Sequence, residues 1–217
     1  MTDAALPPPA QRGEGRGGGL AFVFLLLSLA LSVPPARVFE TTPERYDLYA
    51  TIFQAGLAAV AALYVARRRP GAFSIDRRAL ATAGLVAALL AAVFLVTGGV
   101  LALLGRLPAL TGPRGGPLAL VSLLLLAPVE EEAVFRGILL GALRPRLGFG
   151  HAAVIQAGLF AACHAVAGVP SEVVVVTYAW GLGAAFLVER TGSLGACVLL
   201  HAAGNAAALA LLYALAG

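Results

Sequence analysis

The sequence predicts an all-α fold: a polytopic transmembrane helical bundle with about seven spans and a polar intramembrane cavity. Three observations predict it. The first is composition, since 60% of the 217 residues are hydrophobic and only 12% are charged, with a mean hydropathy of +0.91. A soluble core of this size would need a charged surface that long stretches of this chain do not offer. The second is spacing, because breakers cut the sequence into apolar segments near the ~20 residues that about 30 Å of hydrocarbon requires. The third is the presence of polar residues inside those segments, led by the run Glu130-Glu131-Glu132 among leucines.

Residues 1–19 combine a proline triplet with a glycine and arginine tract, a composition that buries too little apolar surface to fold and predicts a disordered N-terminal tail. No A-x-A-like site follows the apolar stretch from Leu20 to Val33, so a cleaved signal peptide is not expected. The predicted spans are 18–36, 49–66, 79–105, 117–143, 150–168, 171–188 and 193–216. Pro34-Pro35, Arg67-Arg68-Arg69-Pro70, Arg106 with Pro108 and Pro113, Arg144-Pro145-Arg146, Gly168 with Pro170, and Thr191-Gly192 separate them. The fifth and sixth are short and tightly joined, so one is expected to be tilted or partly re-entrant. Residues 20–116 form N-terminal transmembrane helices, and residues 117–217 a core that holds the intramembrane polar groups.

All 15 basic residues are arginine, against 11 acidic ones, and they cluster at the ends of apolar runs, where they meet lipid phosphates and set orientation. That distribution makes the lipid bilayer the expected partner and excludes nucleic acid. With the N-terminus inside, the inner side carries ten arginines and the outer side four, Arg37, Arg45, Arg106 and Arg114. The positive-inside rule then predicts N-inside and C-outside. Cys163 and Cys197 both lie in apolar runs and imply no disulfide framework. No inverted repeat of the transporter type is apparent.

The glutamates carry the functional argument. A charge at the bilayer centre costs roughly 3 kcal/mol, so Glu130, Glu131, Glu132 and Arg136 would together cost about 12, whereas the apolar residues of the same span return only about 7. Their polar groups must therefore face other helices or a water-filled cavity. Successive helical residues turn by about 100°, so the three acids cannot share a face. Glu132 and Arg136 are spaced i,i+4 with the acid first, the favourable order for an ion pair. Glu130 shares its face with Gly137 and Gly141, a pattern that permits close helix approach. Glu131 has no partner on its own helix. Pro128 removes a helical hydrogen bond and is expected to free the carbonyl of Leu124.

Two histidines lie well inside spans, His164 on the fifth and His201 on the seventh, and His201 faces the same way as Asn205 four residues on. A lone intramembrane histidine is more often a packing residue. Two histidines, an asparagine and an unpaired acid on three spans can instead supply a base that activates water and donors that stabilise an oxyanion.

These residues resemble the CAAX-processing and bacteriocin-processing intramembrane proteases, whose pattern is E-E-x-x-x-R, F-x-x-x-H and H-x-x-x-N or D on successive helices. Here they read Glu131-Glu132-Ala-Val-Phe-Arg136, Phe160-Ala-Ala-Cys-His164 and His201-Ala-Ala-Gly-Asn205, and the segment from Glu189 to Leu194 is similar too. The resemblance covers about residues 117–210, so that 117–217 would be the catalytic core. It implies that Glu131 and His164 activate the attacking water, that His201 and Asn205 stabilise the oxyanion, and that Glu132 and Arg136 hold Glu131 in place. Glu130 lies outside the motif and is expected to be a buried hydrogen-bonding residue. Glu131, His164 and His201 could also make a zinc site with an open position, but the compact H-E-x-x-H spacing is lacking, and a metal-free enzyme is the expectation. The cysteines are expected to be packing residues, with Cys163 facing away from His164.

The function expected is an endopeptidase that cuts a membrane-associated or C-terminal segment of a peptide or protein. The competing readings are a proton-coupled transporter or channel, with glutamate and histidine along an ion pathway, and a non-catalytic immunity or binding member of the same family. A compact chain rich in arginine and devoid of lysine is expected to come from a bacterium, with the protein in the cytoplasmic membrane.

Overall fold

A computed structural model of the protein describes residues 17–32, 43–105 and 117–216. All the regular structure among them is helical. Helix α1 is Gly17–Ser32, α2 Pro43–Arg68 and α3 Arg77–Leu103. A continuous helical run follows, built from α4 (Pro117–Val121), a π-helical turn π1 (Ser122–Leu126), α5 (Ala127–Glu131), a second π-helical stretch π2 (Glu132–Leu139) and α6 (Leu140–Val166). Helices α7 (Ser171–Thr191) and α8 (Leu194–Ala216) complete the chain. The expected tail lies outside the described residues up to position 16, while Gly17, Gly18 and Gly19, assigned to that tail by composition, begin α1. The predicted breakers at Pro34-Pro35, Arg106, Pro108 and Pro113 also lie outside them.

Among the described residues, four helices are long and apolar enough to cross a membrane: Leu48–Arg68, Arg77–Leu103, Ser171–Thr191 and Leu194–Leu211. The expected count of about seven is thus not confirmed among the described residues. Helix α1 has only 16 residues, and the run from Pro117 carries Glu130, Glu131, Glu132 and Arg136, which an apolar lipid-facing helix would not hold.

The break expected at Arg144-Pro145-Arg146 falls a few residues later. Pro145 sits inside α6, and the chain turns at Gly148, whose φ of 73° and ψ of 165° are disfavoured for a residue with a Cβ. At the same end, Arg144 forms a two-pronged bridge to Glu189, with Nε–Oε2 at 2.7 Å and Nη2–Oε1 at 2.6 Å. There too the backbone N–H of Leu194 donates to Ala72 O at 2.6 Å, and Gly195 lies so close to the Phe73 carbonyl that a Cβ would collide with it. Ser193 caps α8 by accepting from Ala196 N at 3.0 Å and donates to Ser74 O. The loops after α2 and α7 are therefore locked together, with Arg144 beside them.

Small residues set the helix spacing. Gly181 of α7 meets Ala157 of α6, where an added Cβ would stand 2.8 Å from the Ala157 Cβ. Gly137 faces Val65 of α2, with 2.6 Å to its Cγ2, whereas nothing lies within 4 Å of the corresponding position at Gly141. The shared face expected for Glu130, Gly137 and Gly141 is thus only partly realised. The reason is π2: with hydrogen bonds reaching five residues back, each residue turns the helix by less than an α-helical step, and an α-helical wheel drawn through it loses phase.

Candidate active site

The site grows out of the two π-helical turns. In π1 the N–H of Ala127 bonds to Ser122 O, five residues back. The next residue, Pro128, has no N–H, and in this register it leaves the carbonyl of Leu123 without its helical partner. Asn205 of α8 fills the gap, its Nδ2 donating to Leu123 O at 2.8 Å. The sequence expectation named Leu124, one residue off, because it assumed α-helical register. One amide hydrogen of Asn205 remains for other use.

Glu132 is at the centre of the polar cluster and wholly buried, as is Arg136. Its Oε1 accepts from Arg136 Nη1 at 3.1 Å, the i,i+4 pair expected, and from His201 Nδ1 at 2.9 Å. The Nδ1 of His201 therefore carries a proton, and the ring presents Nε2 to Glu131, 3.7 Å from Oε2. An unbroken sequence of contacts, Arg136–Glu132–His201–Glu131, runs across π2, α5 and α8. Among the described residues, Nε and Nη2 of Arg136 are buried without hydrogen-bond partners. Part of the arginine's charge is instead met by the face of Phe160, 4.3 Å from the guanidinium carbon.

Phe160 also fixes the second histidine. Its ring centroid is 4.6 Å from that of His164, and its carbonyl lies 2.9 Å from His164 Nδ1. A carbonyl can only accept, so Nδ1 carries a proton, and in the neutral ring Nε2 is left with the lone pair. Phe135 packs edge-on against Phe160 at 5.1 Å, and Trp180 lies 5.4 Å from the ring of His201. The first residue of the F-x-x-x-H pattern is thus a packing hub for Arg136 and His164.

Glu131 and His164 both line a cavity of about 190 Å³, together with Ser28, Gln54, Glu130, Phe135, Phe160, Cys163 and Ala167. His201 and Asn205 are behind this wall rather than in it. His201 reaches the cavity through Glu131, and Asn205 is tied to the backbone of π1. Cys163, expected to face away from His164, lines the same cavity, since a turn of about 100° still leaves both side chains on its broad wall. Glu130 is buried and accepts a hydrogen bond from Ser28 Oγ of α1 at 2.5 Å, in keeping with its expected role. Gln54 of α2 is bonded through its Oε1 to the hydroxyl of Ser122 in π1. Sequence reasoning missed Ser28 and Gln54; the available signal was a polar residue inside each of two apolar helices.

A carboxylate behind an imidazole, as Glu132 is behind His201, is also the arrangement that orients a metal-bound histidine. Among the described residues, however, no three His, Cys, Asp or Glu side chains are grouped so as to hold a metal ion.

Fold and site together define a class: an all-helical membrane protein in which acids and one histidine line a cavity and a second histidine backs it. Residues 113–207 match the family described as Type II CAAX prenyl endopeptidase Rce1-like, and this part of the chain carries Glu131, Glu132, Arg136, His164, His201 and Asn205. The family is one of proteases acting on membrane-associated peptides, which agrees with the resemblance seen in the motifs. No curated protein and no solved structure matches the chain.

Proposed function

We propose that the protein is an intramembrane endopeptidase that hydrolyses a peptide bond in a membrane-associated or C-terminal segment, using water activated by Glu131 and His164. The observation that carries this reading is the opening of Glu131 and the fixed tautomer of His164 onto one cavity. Water between the Glu131 carboxylate and Nε2 of His164 gives up a proton to the Glu131 carboxylate, while the neutral imidazole orients it, and attacks the scissile carbonyl carbon. The carbonyl π electrons move to oxygen, and a tetrahedral oxyanion forms. Donation to that oxyanion from His201, doubly protonated, and from the remaining amide hydrogen of Asn205 requires the wall between them and the cavity to open when substrate binds. Collapse breaks the C–N bond, and the departing amine takes up the proton removed from water. Glu132 and Arg136 hold His201, and through it Glu131, in position.

The reading needs no resident metal ion. The family match gives no support to the proton-coupled transporter, and the intact set of Glu131, His164, His201 and Asn205 weighs against a non-catalytic member of the same family. The proposal includes a bacterial cytoplasmic membrane and an N-inside orientation, supported by the ten-to-four arginine bias. The test is cleavage of a quenched fluorescent peptide with an apolar membrane-associated segment by the full chain in detergent, with and without chelator. Cleavage that survives chelation and disappears in Glu131→Gln is expected. Loss on chelation with recovery on adding zinc would replace the metal-free mechanism, and an active Glu131→Gln enzyme would remove Glu131 as the base.

A further inference from the structure

Two side chains of the cavity wall come from outside the family-matched residues 113–207: Ser28 from α1 and Gln54 from α2. They are used differently. Ser28 is committed to Glu130. Gln54 is half-buried, and its only hydrogen bond among the described residues runs from the Ser122 hydroxyl to its Oε1. An interhelical Gln–Ser contact by itself would be ordinary membrane glue. Here it ties down the amide oxygen of a residue that lines the catalytic cavity, which leaves Nε2, with two hydrogens, as the free end. A donor held by its own acceptor end, in the cavity that Glu131 and His164 also line, is matched to a main-chain carbonyl of an extended peptide.

We infer that Gln54 is a substrate-binding residue whose side-chain amide, oriented by Ser122, donates a hydrogen bond to a backbone carbonyl of the bound peptide. This rests on the endopeptidase reading for the identity of the ligand. It makes α2 part of the substrate-binding surface and Ser122 a positioning residue. The occupant is a peptide in extended conformation, because a helical substrate keeps its carbonyls within its own ladder.

The experiment measures binding apart from chemistry. A fluorescein-labelled leucine- and alanine-rich peptide is titrated onto the full chain in detergent carrying Glu131→Gln, alone and combined with Gln54→Met, Ser122→Ala or both. A hydrogen bond between neutral groups predicts that Gln54→Met weakens Kd about tenfold. Ser122→Ala should weaken it less, and the double variant should equal Gln54→Met, since Ser122 acts only through Gln54. Thermal unfolding tells this from a loss of glue, which would lower Tm and leave Kd unchanged. A Kd indifferent to Gln54→Met, additive losses in the double variant, or no binding of the peptide would each overturn the inference. Gln54-dependent binding by a wild-type chain that fails to cleave would instead sink the endopeptidase reading alone.

Discussion

The Nδ1 of His201 donates to Oε1 of Glu132 across 2.9 Å, inside a cluster where Glu132 also meets Arg136. One carboxylate thus neutralises a buried guanidinium and selects the tautomer of an imidazole. Substituting Glu132→Gln should remove both services. It leaves Arg136 as an unpaired buried charge, a defect that costs about 3 to 5 kcal/mol. Thermal unfolding in detergent should show a large fall in Tm, together with low turnover.

Glu131→Gln should behave in the opposite way. Glu131 is half-buried, it meets a histidine that keeps its other partner, and the amide preserves its shape. Turnover should vanish while Tm stays close to that of the parent. Equal losses of activity and stability in the Glu131 and Glu132 variants would mean that both acids only hold the fold together.

Asn205 and Pro128 should be energetically coupled through Leu123 O. Asn205→Ala strands that carbonyl and should cost about 1 to 3 kcal/mol. Pro128→Ala restores an N–H in the π register, so the double variant should lose less stability than the two single losses summed. Strict additivity of unfolding free energies would show that the Asn205 bond and the missing Pro128 donor are unrelated.

The two glycines of π2 and α6 should respond unequally to alanine. A methyl at Gly137 would meet Val65 Cγ2 at 2.6 Å, and α2 would have to move, an overpacking cost of about 1 to 3 kcal/mol. Gly141 has open space at the same position, so its alanine variant should be neutral or slightly stabilising. The midpoint of thermal unfolding for the two variants is the check.

Reporter fusions test orientation. The loops after α2 and α7 are bonded to each other through Leu194 N and Ala72 O, so reporters within 70–76 and beside Gly192 should give the same side. The arginine bias makes that side the cytoplasm. Opposite-side signals from the two loops would break the arrangement.

Much of the site was legible because its chemistry depends on residue type and short spacing. The i,i+4 offset of Glu132 and Arg136 needs no tertiary knowledge, and the family motifs bring in Glu131, His164, His201 and Asn205. What failed to read through were features decided by helical register or by distant helices. The α-helical assumption put the orphan carbonyl at Leu124 instead of Leu123 and paired Gly141 with Gly137, whereas the breadth of the cavity wall brought Cys163 in beside His164. The contributions of Ser28 and Gln54 were hidden for another reason. A single polar residue in an apolar helix says that it needs a partner, but not which helix supplies it. The turn at Gly148 was masked by the louder signal of Pro145.

The π-helical turns have a consequence for how the chain can vary in length. Each is, in effect, a surplus residue stored within a helix. Deleting one residue between Ser122 and Leu126 would let that segment relax to ordinary pitch with almost no net rotation of its flanks, because about five steps of the wide turn cover the angle of about four α-helical steps. A deletion in the α-helical stretch Ala127–Glu131 has no such reserve and would swing the helix on one side of the cut by about 100° relative to the other, so that Glu131 and the residues after it lose their common alignment even though no motif letter need change. The chain can therefore shorten by one residue at the wide turn, where the reserve lies, and not a few residues further on.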